Sequence, residues 1–498
     1  MKKPITLWQK FGRFLFDNKV ILVFALIVFG AIIASGSPIS FVVDGIFSRI
    51  GRNMFTVLAL IIPVVAGMGL NFGIVIGAIA AQIALFCVVY WGLGGIGGML
   101  LAALITTPLA AFFGWLGGKL FNRMKGAEMI AGLILGYFAD GLYQLLFLVL
   151  IGGVIPVKET SHLIIAGGVG VKNTIDLTGN LKYTIDDVTL LQMLLVALII
   201  AVIMLLVKLV LRGMHKLELT RRDFIPVAVL GVLFGVGQVP FVKEMLSFSK
   251  IKLLPAVTIA VIGVILWQVY KIIKKRSQPG FNLTKTIGVI VLAAVLYALT
   301  YIKSIEFVLK MVSFPILPFV LIALIWLFNL KILDTRIGQN MRTVGQSQTV
   351  ATASGIDVDR TRVIAMIIST VLASWGQLIY LQNMGTFSTY GAHLQIGQFA
   401  IAALLVGGAS VQKATNRQAL IGVILFHALF IVAPEAGKML FGNAMIGEYF
   451  RVFVSYGVIA LSLAMHAWKL AKKPDDESLP LIGESDSASN HNPVDQRA

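Results

Sequence analysis

"TRIGQNMRTVGQSQTVATASGIDVDR", Thr335 to Arg360, is a polar, basic island between the apolar run that ends near Leu330 and the one that begins near Val363. A mere connection between two membrane spans needs only a few residues. A stretch this long, with Ala351, Ala353, Ser354 and Gly355 at its centre and charge on its flanks, admits two readings. One is a solvated loop. The other is a short helix that lies along the membrane surface and docks into a partner, its small side chains entering a groove and its basic flanks fixing the register.

The surroundings make it a membrane loop. Of 498 residues, 58% are hydrophobic and 13% charged, with a mean hydropathy of +0.91; a soluble domain carries about 25% charged residues. The single cysteine, Cys87, lies inside an apolar run and excludes an intrachain disulfide. A formal charge of +18 is explained by Lys and Arg collecting in cytoplasmic loops rather than by nucleic-acid binding. At the N-terminus, Lys2, Lys3, Lys10, Arg13 and Lys19 precede "VILVFALIVFGAIIASG". This resembles a signal peptide, but further spans follow at once, so an uncleaved first helix is expected.

Runs long enough to span a bilayer lie near 20–36, 54–69, 71–91, 95–118, 128–152, 189–211, 224–240, 253–272, 286–302, 313–330, 362–381, 396–411, 417–433 and 450–469. The expected fold is therefore all-α, a polytopic transmembrane helix bundle of about 14 spans, with 12–14 as the range. Four successive loops rich in Lys and Arg place both termini in the cytoplasm: Lys119, Arg123 and Lys125; Arg212, Lys216, Arg221 and Arg222; Lys271, Lys274, Lys275, Arg276 and Lys285; Lys331, Arg336, Arg342, Arg360 and Arg362. One outer loop runs against the rule, with Lys243, Lys250 and Lys252 beside Glu244. The transmembrane domain is read as 1–473, and the acidic, aromatic-poor tail 474–498 is expected to be disordered and cytoplasmic. The longest outer loop, about 153–188, carries β-branched residues and turn signals; a short hairpin lid and a solvated connection suit it equally.

No enzyme constellation emerges. "GWLGGKL" has the wrong spacing for a phosphate loop, and Leu120 stands where Ser or Thr would reach a metal. The six histidines lack metal-ligand spacing, and no periodic arginine series is present. No cofactor or metal is expected on this chain. Polar residues at membrane depth are costly against lipid and so mark a candidate path: Asn71, Asp140, Gln377 and Gln398. Asp140 either faces the path or bonds a neighbouring helix; Asn71 either lines a broken helix or packs. Gln377, Gln382, Asn383, His393, Gln395 and Gln398 suit interfacial solvation or a solute gate, solvation being preferred. The GxxxG pairs Gly132/Gly136 and Gly231/Gly235 are expected to pack helices closely.

The segment Thr335–Gln377 also resembles the cytoplasmic coupling segment of permease subunits of the branched-chain amino acid and simple-sugar (including nucleoside) class of ABC importers. The resemblance is carried in order by Thr335, Gly338, Arg342, Gly345, Ala351, Ser354, Gly355, Ile356, Arg360, Ser369, Leu372 and Ala373. Three further pieces are similar to that class: "GLNFGIVIGAIAAQ" at Asn71, Gly73, Gly77 and Ala78; "EMIAGLILGYFADGL" at Glu128, Leu133 and Leu135; and "FAIAALLVGGASVQKATNRQALIGVILF" at Ile401, Ala402, Gly407, Gly408 and Gly422. Gly136 departs from an expected Asn, and Ile74 and Val75 from a frequent Gly or Glu. The likeness covers 51–211 and 312–470, leaving 212–311 as an insertion.

The resemblance implies a chain without its own ATPase site. It implies a second permease chain (identical or related), a cytoplasmic ATP-binding subunit that hydrolyses the ATP, and an extracytoplasmic solute-binding protein. ATPase coupling would fall to Arg342, Gly345, Ala351, Ser354, Gly355, Ile356 and Arg360, and the cargo would be a simple sugar or nucleoside carried across a bacterial inner membrane. The alternative is a secondary transporter of about 14 spans driven by an ion gradient, and a non-transporting scaffold is a third reading.

Overall fold

In the computed structural model, Leu15 and residues 18–158, 162–165, 169–213, 220, 223–275 and 282–471 are described. The tail 474–498 and the loop cations Lys216, Arg221, Arg222 and Arg276 lie outside them. The chain is helical throughout. α1 (Lys19–Ser35) and α2 (Ile39–Ala59) lead into α3 (Ile61–Val65) and a 3-10 turn at Phe72–Ile74, then α4 (Val75–Tyr90), α5 (Gly95–Arg123) and α6 (Glu128–Leu145). After strand β1 (Thr174–Asp176) come α7 (Leu190–Gly213), α8 (Ile225–Gly237), α9 (Pro240–Leu246), β2 (Lys250–Lys252), α10 (Leu253–Lys275), α11 (Leu283–Leu299), α12 (Lys303–Met311) and β3 (Ser313–Pro315). The last part holds α13 (Ile316–Ile332), α14 (Arg336–Gln346), α15 (Gln348–Ala353), α16 (Val358–Met384), β4 (Thr386–Ser388), α17 (Ala392–Val406), α18 (Asn416–Phe441) and α19 (Ala444–Ala471).

Among the described residues, nine helices are long and apolar enough to cross a membrane, and twelve if three bent pairs each count as one span. Two shorter apolar helices, Lys19–Ser35 and Ala392–Val406, accompany them. Each apolar run read from the sequence falls on one of these segments. The protein is a polytopic helical membrane protein.

Its centre is α16, which packs along α2, α4 and α5. Close approach needs small residues: a Cβ at Gly114 would stand 2.8 Å from Ile367 Cα, and one at Gly118 would stand 2.9 Å from Val363 Cα. The segment "GWLGGKL", which superficially resembles a phosphate loop, is thus the packing face of α5. Gly132 and Gly136 similarly seat α6 on the 3-10 turn, with Gly73 N 3.1 Å and Phe72 O 3.6 Å from their Cβ positions. The second GxxxG pair does not pack: nothing lies within 4 Å of either Gly231 or Gly235. α8 meets chiefly α7, and a side chain on its Gly231/Gly235 face would meet open space among the described residues.

The insertion forms two helical excursions, each closed at its root. Leu190 N donates to Phe248 O (3.1 Å), closing α7–α9, and β2 pairs antiparallel with β3, closing α10–α12. In the long loop, read equally as a hairpin lid or a solvated connection, the described residues hold one antiparallel bridge, Ile164–Val171. The strand proper, β1, pairs instead with β4, more than 200 residues away, aligning Thr174 with Ser388. Beside this pair, Asp186 accepts from Gln382 Nε2 (2.8 Å) and Asn383 Nδ2 (2.6 Å). Gln382 is fully buried. These two polar residues therefore fasten the loop to α16, where solvation had been the preferred reading.

Candidate functional site

Residues 335–360 fold as two short helices and the start of a third, each opened by a side-chain cap. Thr335 accepts from Gly338 N (3.3 Å) to start α14, Ser347 from Val350 N (3.3 Å) to start α15, and Asp357 from Arg360 N (2.9 Å) to start α16. Gly355, at φ +77°, ends α15 in the left-handed region, and Ile356 N returns to Ala351 O (3.0 Å). Ala351, Val344 and Val358 are buried together with Ile356 against them, so Ala351 holds the unit shut from inside. Arg342, Thr349, Val350, Thr352, Ala353, Ser354, Gly355 and Arg360 are exposed. Of the candidate coupling residues, the structure thus divides an outward group (Arg342, Ser354, Gly355, Arg360) from an inward one (Ala351, with Ile356 half-buried).

Gly345 does neither job. A Cβ there would run into Val65 O at the end of α3. Reciprocally, a Cβ on Gly67 would lie 2.7 Å from Gly345 Cα, and Gly67 itself has φ +76°. Backbone therefore touches backbone between the 335–360 unit and the break after α3. Four residues past Gly67 is Asn71, fully buried, with both side-chain polar atoms unpartnered among the described residues.

A second link runs beside the first. Arg362, fully buried in the first turns of α16, donates from Nη2 to Glu128 Oε1 (2.6 Å) and to Phe121 O (3.3 Å). Glu128 opens α6, twelve residues before Asp140. Asp140 accepts from Gln144 Nε2 (2.9 Å), and its other oxygen lies 2.7 Å from His393 Nε2 at the start of α17. The Tyr143 ring stands edge-on to His393, centroids 4.8 Å apart. α6 is thereby fixed to α16 at one end and to α17 at the other.

Between the 3-10 turn, α6 and α17 lies a small opening of about 30 Å³, bordered by Phe72, Gly136, Tyr137, Gly397 and Gln398. Gln398 Oε1 accepts from Tyr456 Oη (3.1 Å). Asn71, Asp140 and Gln398 thus sit on elements that meet here. Gln377 is apart, fully buried on α16 with both polar atoms unpartnered among the described residues, as are those of Gln82 on α4.

The sequence reading missed three features of the site. The Arg362–Glu128 pair joins positions 234 residues apart, and no local signal could have found it. The Gly67 contact was visible only as an interrupted apolar run. Arg49 and Arg52 of α2 and Arg451 of α19 form a cationic group at the end of the bundle remote from 335–360, where Arg52 Nη1 reaches Met384 Sδ (2.9 Å) and Arg451 pairs with Glu448.

Comparison with known proteins assigns this polytopic helical bundle to a family. The chain belongs to the family described as the permease component of the branched-chain amino acid transport system, which matches residues 188–463. It is 27% identical over 217 residues to the xylose transport system permease protein XylH of Haemophilus influenzae, covering 41% of this chain and 52% of that protein. It is 28% identical over 152 residues to the galactose/methyl galactoside import permease protein MglC of the same organism, covering 30% of this chain and 42% of that one. The chain spans about half the length of the curated relatives it matches. No solved structure matches it.

Proposed function

We propose that this chain is the membrane-spanning permease subunit of an ABC importer that carries a small neutral sugar into a bacterial cell, with both termini in the cytoplasm. The observation that carries the reading is the 335–360 unit. It presents Thr349, Thr352, Ala353, Ser354 and Gly355, all exposed, between Arg342 and Arg360, and its inner side rests on the helix break at Gly67. A separate ATP-binding subunit would grip that face. Closure of the ATPases would press α14 against Gly67 and pull α16 on α6 through Arg362 and Glu128. Both movements converge on the opening beside Asn71, Tyr137 and Gln398, which would line the path with a second permease chain.

The proposed cargo follows from the relatives' names, xylose and galactose, and from the chemistry at the opening. Phe72 and Tyr137 supply aromatic faces, and the neutral amide of Gln398 supplies a hydrogen-bonding group suited to hydroxyls. An extracytoplasmic binding protein would deliver the sugar.

Affinity purification of the tagged chain in mild detergent tests the assembly. A stoichiometric ATPase subunit is expected to copurify and to be lost from Gly355→Arg, while membrane insertion persists. The second reading, a gradient-driven carrier, is favoured by one observation, the Asp140–His393 pair at membrane depth. Uptake by the lone chain in vesicles, abolished by collapsing ion gradients and indifferent to ATP, would replace the importer with that carrier.

A further inference from the structure

The insertion carries a feature that transport does not use. Its two excursions end, on the side remote from 335–360, in short helices that turn sharply off their spans: α9 bends 104° from α8, and α12 bends 87° from α11. Each therefore lies along the membrane surface. Both expose large apolar side chains, Phe241 (73%) and Met245 on α9 and Phe307 and Met311 on α12. The same segments hold Lys243, Lys250, Lys252, Lys303 and Lys310 against only Glu244 and Glu306. This is the loop region whose charge opposes the orientation rule. Lys310 is paired with Glu306 (2.6 Å) and Lys250 with Asp187 (3.6 Å). Lys243, Lys252 and Lys303 have no ion-pair partner among the described residues.

Between α10, α11 and α12 is a cavity of about 370 Å³, lined by Leu254, Pro255, Thr258, Tyr297, Tyr301 and Glu306, with Lys252 two residues before Leu254 and Lys303 two after Tyr301. Its polarity is graded. Tyr297 Oη accepts from Thr258 Oγ1 (3.4 Å), placing hydroxyls at the level where α10 begins. Lys252 precedes that start by one residue and Lys303 opens α12. Toward the bilayer the walls continue as exposed hydrocarbon, Ile259, Ile262 and Leu266 on α10 and Leu292, Leu296 and Leu299 on α11.

We propose that this cavity is a binding site for one anionic phospholipid of the outer leaflet. The headgroup phosphate lies between Lys252 and Lys303, the glycerol esters lie against the hydroxyls of Thr258 and Tyr297, and the acyl chains lie in the α10–α11 groove. A free phosphate would leave the apolar walls unoccupied. A zwitterionic lipid would bring an ammonium group to a surface already rich in lysine. The lysines that break the charge rule are then explained by the anion they hold: near a membrane, basic residues recruit acidic lipid. Surface-lying helices with lysine beside apolar side chains are suited to the same interface.

The proposal does not depend on the transport reading, and lipid binding tests it directly. The full chain, purified in neutral detergent, is titrated with phosphatidylglycerol and with phosphatidylcholine, and bound lipid is counted by native mass spectrometry. Phosphatidylglycerol is expected to bind the more tightly. The Lys252→Gln/Lys303→Gln variant should bind it roughly thirtyfold more weakly, while Lys331→Gln, on the opposite surface, should bind it as wild type. Thr258→Trp, which fills the cavity and leaves the charges in place, should lose it as well. Equal affinity for the two lipids would overturn the site. So would full phosphatidylglycerol binding by the double lysine variant, or displacement of the lipid by glycerol 3-phosphate, which would mark a site for a free phosphate.

Discussion

Arg362 is the largest side chain in the protein with almost no exposed surface, and its charge is met by Glu128. Removing one partner of such a pair strands the other, a loss of about 3–5 kcal/mol. Arg362→Met should therefore lower the thermal midpoint in detergent sharply, and pairing it with Glu128→Leu should recover much of that loss. Recovery absent in the double variant would mean that the contact to Phe121 O carries the stability instead. Glycine gives a second contrast. Gly345→Ala forces a Cβ into Val65 O and should abolish uptake and weaken the fold. Gly231→Ala meets open space and should stabilise its helix by up to ~1 kcal/mol. Thermal denaturation of the two variants side by side separates a glycine needed for contact from one that is not.

Among elements, the loop strap across the surface remote from 335–360 is fastened by β1–β4 and by Asp186. Burial pushes the Asp186 carboxyl above its usual range, partly offset by hydrogen bonds from Gln382 and Asn383. A carboxyl raised in the folded state favours folding in acid and loses that contribution as pH rises through its raised value. As pH rises above the ordinary aspartate value of about 4, the thermal midpoint of the wild type should carry this downward contribution, and Asp186→Asn should remove it. An unchanged pH profile in Asp186→Asn would assign the burial no energetic weight. The excursion α10–α12 is likewise separable, because β2 and β3 bring its ends together, with Lys252 opposite Ser313. Replacing 253–312 by an Asn-Gly turn joins two strands already in antiparallel register. The shortened chain is expected to insert and to retain uptake, and failure to accumulate in the membrane would show that the excursion is needed for folding.

At the scale of the whole molecule, the same device recurs: helices meet where glycines remove side chains, and polar bonds fix the crossings. Gly407 and Gly422 bring α17 against α18 so closely that a Cβ at either would strike backbone carbonyl oxygen of the other helix. The 335–360 unit rests on this closely packed group of helices, through the Gly67–Gly345 contact and the Arg362–Glu128 bond to α6. The 212–311 segment stands outside this group, meeting the rest chiefly through α12 against α2 and through the β2–β3 pair. Coupling is then expected to survive changes in the insertion and to be lost from single changes at the Gly67–Gly345 contact, as ATP-dependent uptake in vesicles would register.

Apolar runs and charge were sufficient to read this chain as a membrane bundle, because each is local: a span must be apolar along its own length, and the loops between spans carry the Lys and Arg. The ordered pattern from Thr335 to Ala373 carried the family for the same reason. Tertiary structure alone decided which small or polar residues meet. Gly132/Gly136 pack while Gly231/Gly235, with the same spacing, do not, since the pattern records the face of a helix and not what stands opposite it. Asp140 finds His393, Arg362 finds Glu128, and β1 finds β4 across separations of more than 200 residues. A buried charge must be satisfied somewhere, but only the path of the chain determines by which partner.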